Sequence, residues 1–168
     1  MGINTAVFGI GNLLLGDEGA GIHAIRALRE RYILPEGLAV VDGGTMGLDL
    51  LPYVEGTERL LIVDAVDLGA EPGTVEVIEG ERVRRFLDTK FSVHQIGLPD
   101  MLFAAELKGI LPRELCIVGI QPAEIETGLD MSEAVAKNFE TLLGAVVGRL
   151  SRWGIRLQES ANVPGDTL

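Results

Sequence analysis

The stretch Asn4–Arg31, NTAVFGIGNLLLGDEGAGIHAIRALRER, decides the fold. Its opening, Asn4–Gly9, is a short apolar run that reads as a buried strand. A glycine-rich turn follows. From Glu18 to Arg31 the apolar residues then recur at helical spacing, with Ile22, Ile25, Leu28 and Tyr32 on one face and Arg26, Arg29 and Glu30 on the other. This strand-then-helix alternation recurs downstream. Pro35-Glu36-Gly37 turns the chain into a second strand, Leu38–Asp42, and Met46–Val54 reads as a short helix. Arg59–Asp64 is apolar enough for a strand buried on both faces. The region Asp67–Thr74 is a Gly- and Pro-containing loop, and Thr74–Ile78 alternates as an edge strand does. Val93–Leu107 is predicted helical and Glu114–Ile120 another buried strand. Asp130 is predicted as an N-cap, with Glu133 three residues on. The helix it starts carries Val135, Phe139, Leu142, Leu143, Val146, Val147 and Leu150 on one stripe.

Alternation of this kind predicts an α/β fold, a three-layer sandwich in which a mostly parallel sheet has helices on both faces. The 168 residues fit one such domain, expected over 1–157, with 158–168 a polar, frayed tail. Hydrophobic residues make up 47% and charged residues 23%, which excludes a globally disordered chain. The apolar runs are too short to span a bilayer. Met1-Gly2-Ile3-Asn4 carries no basic segment followed by an apolar core, so no secretory signal is expected. Cys116 is the only cysteine and lies in an apolar run, where it reads as a small buried hydrophobe and not a nucleophile. Cytoplasmic location is the expectation. The formal charge of −11 argues against nucleic acid and anionic membranes as partners, both of which reward basic surfaces.

In open α/β sheets, ligands bind outside the carboxyl ends of the strands. The first strand exits into Gly9-Ile-Gly11-Asn12-Leu-Leu-Leu-Gly16-Asp17-Glu18-Gly19. A dinucleotide site would want glycine at position 14, where Leu14 stands, and Asp17 and Glu18 put negative charge where a phosphate would bind. No organic cofactor is therefore expected. Acidic residues in a first helical turn also complement the helix dipole, so Glu18 alone has an ordinary structural explanation. The second strand ends at Asp42-Gly43-Gly44-Thr45, either a tight turn or a ligand-approaching one. The third ends at Asp64, which either caps the next turn or faces a crevice or a metal. His94 sits at a predicted helix start, where the dipole favours a neutral ring able to donate a lone pair. His23, off the apolar stripe of the first helix, reads as solvated. Taken together, Glu18, Asp64 and His94 arise at strand exits that this architecture gathers at one edge. Two carboxylates and an imidazole suit a borderline divalent cation such as nickel or zinc.

The chain resembles the endopeptidases that mature nickel–iron hydrogenases. The resemblance runs from Ala6 to about Leu150. It rests on Gly9 to Gly21, Asp42-Gly43-Gly44-Thr45, Ile62-Val63-Asp64-Ala65, Pro72-Gly73-Thr74, Ser92-Val93-His94-Gln95-Ile96-Gly97-Leu98 and Val118-Gly119-Ile120-Gln121-Pro122, matched in order and spacing. It implies a twisted five-stranded sheet between helices. The activity it implies is removal of a C-terminal extension from a hydrogenase large-subunit precursor already carrying its nickel–iron centre. It also implies that Glu18, Asp64 and His94 are the metal-binding and catalytic positions. Nickel delivered by the substrate is then the expected metal, used for recognition or as a Lewis acid. Asp42, Gly43, Gly44, Thr45 and Gln121, at neighbouring exits, are expected to shape the substrate cleft. Three alternatives stay open from sequence: a non-catalytic assembly chaperone, a nucleotide-dependent oxidoreductase, and a peptidase with its own zinc.

Overall fold

A computed structural model of the chain describes residues 4–90, 98–123 and 126–161. The elements run β1 (Thr5–Ile10), α1 (Ala20–Arg31), β2 (Tyr32–Ile33), β3 (Leu38–Gly44), α2 (Leu51–Val54), β4 (Arg59–Ala65), β5 (Val75–Glu79), α3 (Glu81–Lys90), α4 (Leu98–Leu107), β6 (Glu114–Ile120), α5 (Glu133–Lys137), α6 (Phe139–Arg152) and β7 (Gln158–Glu159). Short 3-10 turns, Gly16–Gly19 and Gly47–Leu50, lead into α1 and α2.

Five strands form the central sheet in the order β3-β1-β4-β6-β5. The pairs β3–β1, β1–β4 and β4–β6 are parallel, and β5 joins the edge antiparallel to β6. Side chains alternate between the two faces with the period of two that a strand imposes. Val7, Leu61, Val63, Cys116 and Val118 enter one core with residues of α1, α5 and α6. Phe8, Leu60, Ile62 and Ile117 enter the other with α2 and α4. This is the three-layer α/β architecture expected. Because β1 is followed by β3 on one side and β4 lies on its other, the chain reverses direction across the sheet at β1. That leaves a crevice at the carboxyl ends of β1 and β4.

Four expectations change. The long helix predicted from Asp130 is two helices, broken at Asn138, where φ is −103° and ψ 7°. Its N-cap is Ser132, not Asp130, because the Ser132 hydroxyl is the group that reaches the Val135 amide, at 3.3 Å. Helix α3 was not predicted at all. Glu81–Lys90 is dominated by charged residues, and only Val83, Phe86 and Leu87 pack on the core, too few to declare a period. Gln158–Glu159, expected in a frayed tail, pairs antiparallel with β2, and the Ser160 amide donates to the Arg31 carbonyl at 2.8 Å. Backbone pairing needs no apolar side chains, so a polar sequence gave no sign of it. Residues 162–168 of that tail lie outside those described.

One glycine sets the distance between helix and sheet. A Cβ at Gly21 would lie 2.2 Å from the Val63 carbonyl oxygen and 2.5 Å from that of Ile10. Only a residue without a side chain lets the start of α1 rest on the ends of β4 and β1. Glu18, three residues before Gly21, is thereby brought to the same cleft as Asp64, one residue after Val63.

Candidate active site

Asp64 is the penultimate residue of β4 and 1% exposed. Glu18 lies in the 3-10 turn between β1 and α1 and is half-buried. Both line one cleft of about 130 Å³, together with Ile10, Gly11, Asn12, Leu15, Gly44, Thr45, Gly47 and Leu98. The turn is closed by its own backbone. The Asn12 amide donates to the Glu18 carbonyl at 3.0 Å, the Glu18 amide to the Leu15 carbonyl at 3.2 Å, and the Asn12 side chain accepts from the Leu14 amide at 2.9 Å. Gly11 is where the turn and β4 meet. Its φ is +140°, and a Cβ there would sit 1.8 Å from the Glu18 carbonyl oxygen and 3.7 Å from Asp64 Oδ1. A side chain at Gly11 would therefore collide with the Glu18 backbone and crowd the Asp64 carboxylate.

His94 lies outside the described residues, as do residues 91–97 generally, so the structure places two of the three expected ligands. Of the five residues expected to shape the cleft, Gly44 and Thr45 line it. Asp42 faces the Arg26 guanidinium at 3.9 Å, and Gly43 is buried against Ile10 and Leu50. The Gln121 side chain is occupied elsewhere: its oxygen accepts from the amides of Leu68 at 2.6 Å and Ala70 at 3.4 Å, holding the loop after β4. His23, expected in solvent, is half-buried, with Nε2 shielded and without a hydrogen-bond partner. Burial and the neighbouring Arg26 hold its pKa below the ordinary imidazole value. Asn12 and Asp17 were not singled out by sequence reasoning. Asn12 gave no signal beyond membership of the glycine-rich segment, and Asp17 only that of a second acid at the helix start.

Among the described residues the cleft's lining holds two acidic residues and no lysine or arginine, a donor set for a cation and not for a phosphate. Its volume is well below the roughly 300–1,000 Å³ typical of sites that enclose a small organic ligand. A larger groove of about 890 Å³ runs between α3, α4 and the start of β6, but none of the predicted site residues that are described lines it.

A family model described as hydrogenase maturation protease matches residues 22–149. The chain belongs to the hydrogenase maturation protease family. The matched span includes Asp64 and begins just after Glu18. Among relatives of this endopeptidase, the Hydrogenase 2 maturation protease of Escherichia coli K12 is 37% identical over 150 residues, 89% of this chain and 92% of that protein. The hydrogenase expression/formation protein HupM of Azotobacter chroococcum mcd 1 is 42% identical over 154 residues, 90% of this chain and 74% of that protein. The solved structure of the hydrogenase maturating endopeptidase HybD from E. coli superposes with a TM-score of 0.88 at 34% identity. It covers 95% of this chain and 99% of that one. A maturation protease has thus been built on a five-stranded sheet whose acidic cleft lies at the carboxyl ends of β1 and β4. No described helix is long and apolar enough to cross a membrane.

Proposed function

We propose that this protease removes the C-terminal extension of a nickel-loaded hydrogenase large-subunit precursor in the cytoplasm. Glu18, Asp64 and His94 would complete the coordination of a nickel ion that arrives in the substrate. The observation that carries the reading is that Glu18 and Asp64 line one cleft at the carboxyl ends of β1 and β4. A three-ligand protein site leaves coordination positions for groups of the substrate, so the enzyme can distinguish loaded from unloaded client. A metal held there supplies Lewis-acid chemistry, polarising the scissile carbonyl or activating water. The protein's part is to fix two carboxylate ligands on rigid backbone and to hold the metal beside the scissile bond.

The surroundings suit a protein substrate. The loops bordering the cleft carry exposed Leu14, Met46, Leu48 and Leu129, apolar side chains of the kind that mark association surfaces. Cys116 does not compete for the role of nucleophile: it is fully buried, and burial pushes its thiol up to about 11. Incubating the purified protein with nickel-containing and nickel-free precursor, followed by intact mass, tests the proposal. Shortening of the nickel-containing chain alone is expected. Cleavage of both, or of neither, would contradict it.

A further inference from the structure

We propose that Asp17 is the positioning residue of the cleft, latching the loop after β6 onto the turn that carries Glu18. The inference rests on the reading that Glu18 is a metal ligand. Asp17 and Glu18 are consecutive in a single 3-10 turn, yet their side chains have opposite fates. Glu18 lines the cleft, whereas Asp17 is 2% exposed and turned under the loop. Its Oδ1 accepts from the Ser132 amide at 2.7 Å, and its Oδ2 accepts from the Ser132 hydroxyl at 2.8 Å and the Ala123 amide at 2.9 Å.

A buried carboxylate is costly unless its lone pairs are met, and hydrogen bonds to an ionised acceptor are the strong kind. Here they are met by residues more than a hundred positions away in sequence. Two further backbone bonds tie the same segments: the Gly16 amide donates to the Gly128 carbonyl, and the Gly128 amide to the Leu14 carbonyl, both at 2.8 Å. Ser132 is also the N-cap of α5, its hydroxyl accepting from Val135. A continuous chain of bonds therefore runs from α5 through Ser132 and Asp17 to the Glu18 turn. With the latch released, the Glu18 carboxylate would keep its place in the sequence but lose its fixed place beside Asp64.

A purely structural Asp17 would lower stability and leave the metal affinity of the folded molecules unchanged, so affinity is the discriminating readout. Ni²⁺ titrated calorimetrically into the wild-type protein, Asp17→Asn, Ser132→Ala and Ser132→Thr tests this, well below each variant's melting temperature. Each variant is first checked for a native circular dichroism spectrum. Asp17→Asn should bind at least about tenfold more weakly, as removal of outer-shell partners does. Ser132→Ala should be intermediate, and Ser132→Thr, which keeps the hydroxyl, close to wild type. Wild-type affinity in folded Asp17→Asn overturns the latch while leaving the ligand reading intact. If Asp17→Asn does not fold, wild-type affinity in Ser132→Ala overturns it instead. Failure of the wild-type protein to bind Ni²⁺ would overturn the ligand reading, and the latch with it.

Discussion

At the amino ends of β4 and β6, Arg59, Glu79, Glu114, Arg149 and Trp153 form a closed set. Arg149 pairs with Glu79 and lies 4.0 Å from Glu114, while Arg59 meets Glu114 at 3.1 Å. The Trp153 indole donates to Glu114 at 2.9 Å, and the Arg149 guanidinium stacks 4.9 Å from its ring centre. At the carboxyl end of β4, Asp64 shares a cleft with Glu18, and no lysine or arginine is among the described residues that line it. The same strands thus end in two kinds of polar cluster. One neutralises itself, which serves stability. The other brings two acidic residues to one cleft, which is the kind of place where a functional site is proposed.

The strongest way to break this contrast is to neutralise each end in turn. Asp64→Asn should abolish precursor processing while leaving the circular dichroism spectrum and melting behaviour near wild type. Processing at a rate close to wild type would remove Asp64 from the site. Glu18→Gln should approach the same loss and Glu18→Asp retain part of the activity, since charge and ligand type survive in the latter. Equal rates for the two variants would count against coordination by Glu18. At the other end, Arg149→Met should cost about 1 kcal/mol of stability in urea unfolding, because it removes the partner of the half-exposed Glu79 while Glu114 keeps Arg59 and Trp153. Processing per folded molecule should not change. A fall in that specific rate would mean the two ends are coupled. The smallest effect belongs to Cys116, between them on β6: native protein at pH 8 should resist iodoacetamide, since the thiol is buried and its pKa raised to about 11. Fast native alkylation with loss of activity would place a nucleophile where none is proposed.

Much of the fold was legible because burial writes itself into sequence. Arg59–Ala65 and Glu114–Ile120 are nearly unbroken apolar strands of a sheet covered on both faces, and they stand almost where periodicity put them. What escaped was held by other forces. Helix α3 exposes most of its surface, β7 is joined by backbone bonds, and the break at Asn138 falls inside an uninterrupted apolar stripe. The acidic pair could be nominated as strand exits. Its assembly could not be read, because it depends on the space left by missing side chains at Gly11 and Gly21. Asp17 looked like Glu18, an acid in a first turn. Only the positions of Ala123 and Ser132 separate the two roles.

The convergence of ligands is tested most directly by anomalous diffraction from crystals of the protein soaked in Ni²⁺. The account predicts one strong nickel peak in the Gly11 cleft, within about 2.0–2.3 Å of carboxylate oxygens of Glu18 and Asp64 and a ring nitrogen of His94. A peak bound elsewhere, or an empty cleft at a nickel concentration that occupies other sites, would contradict it.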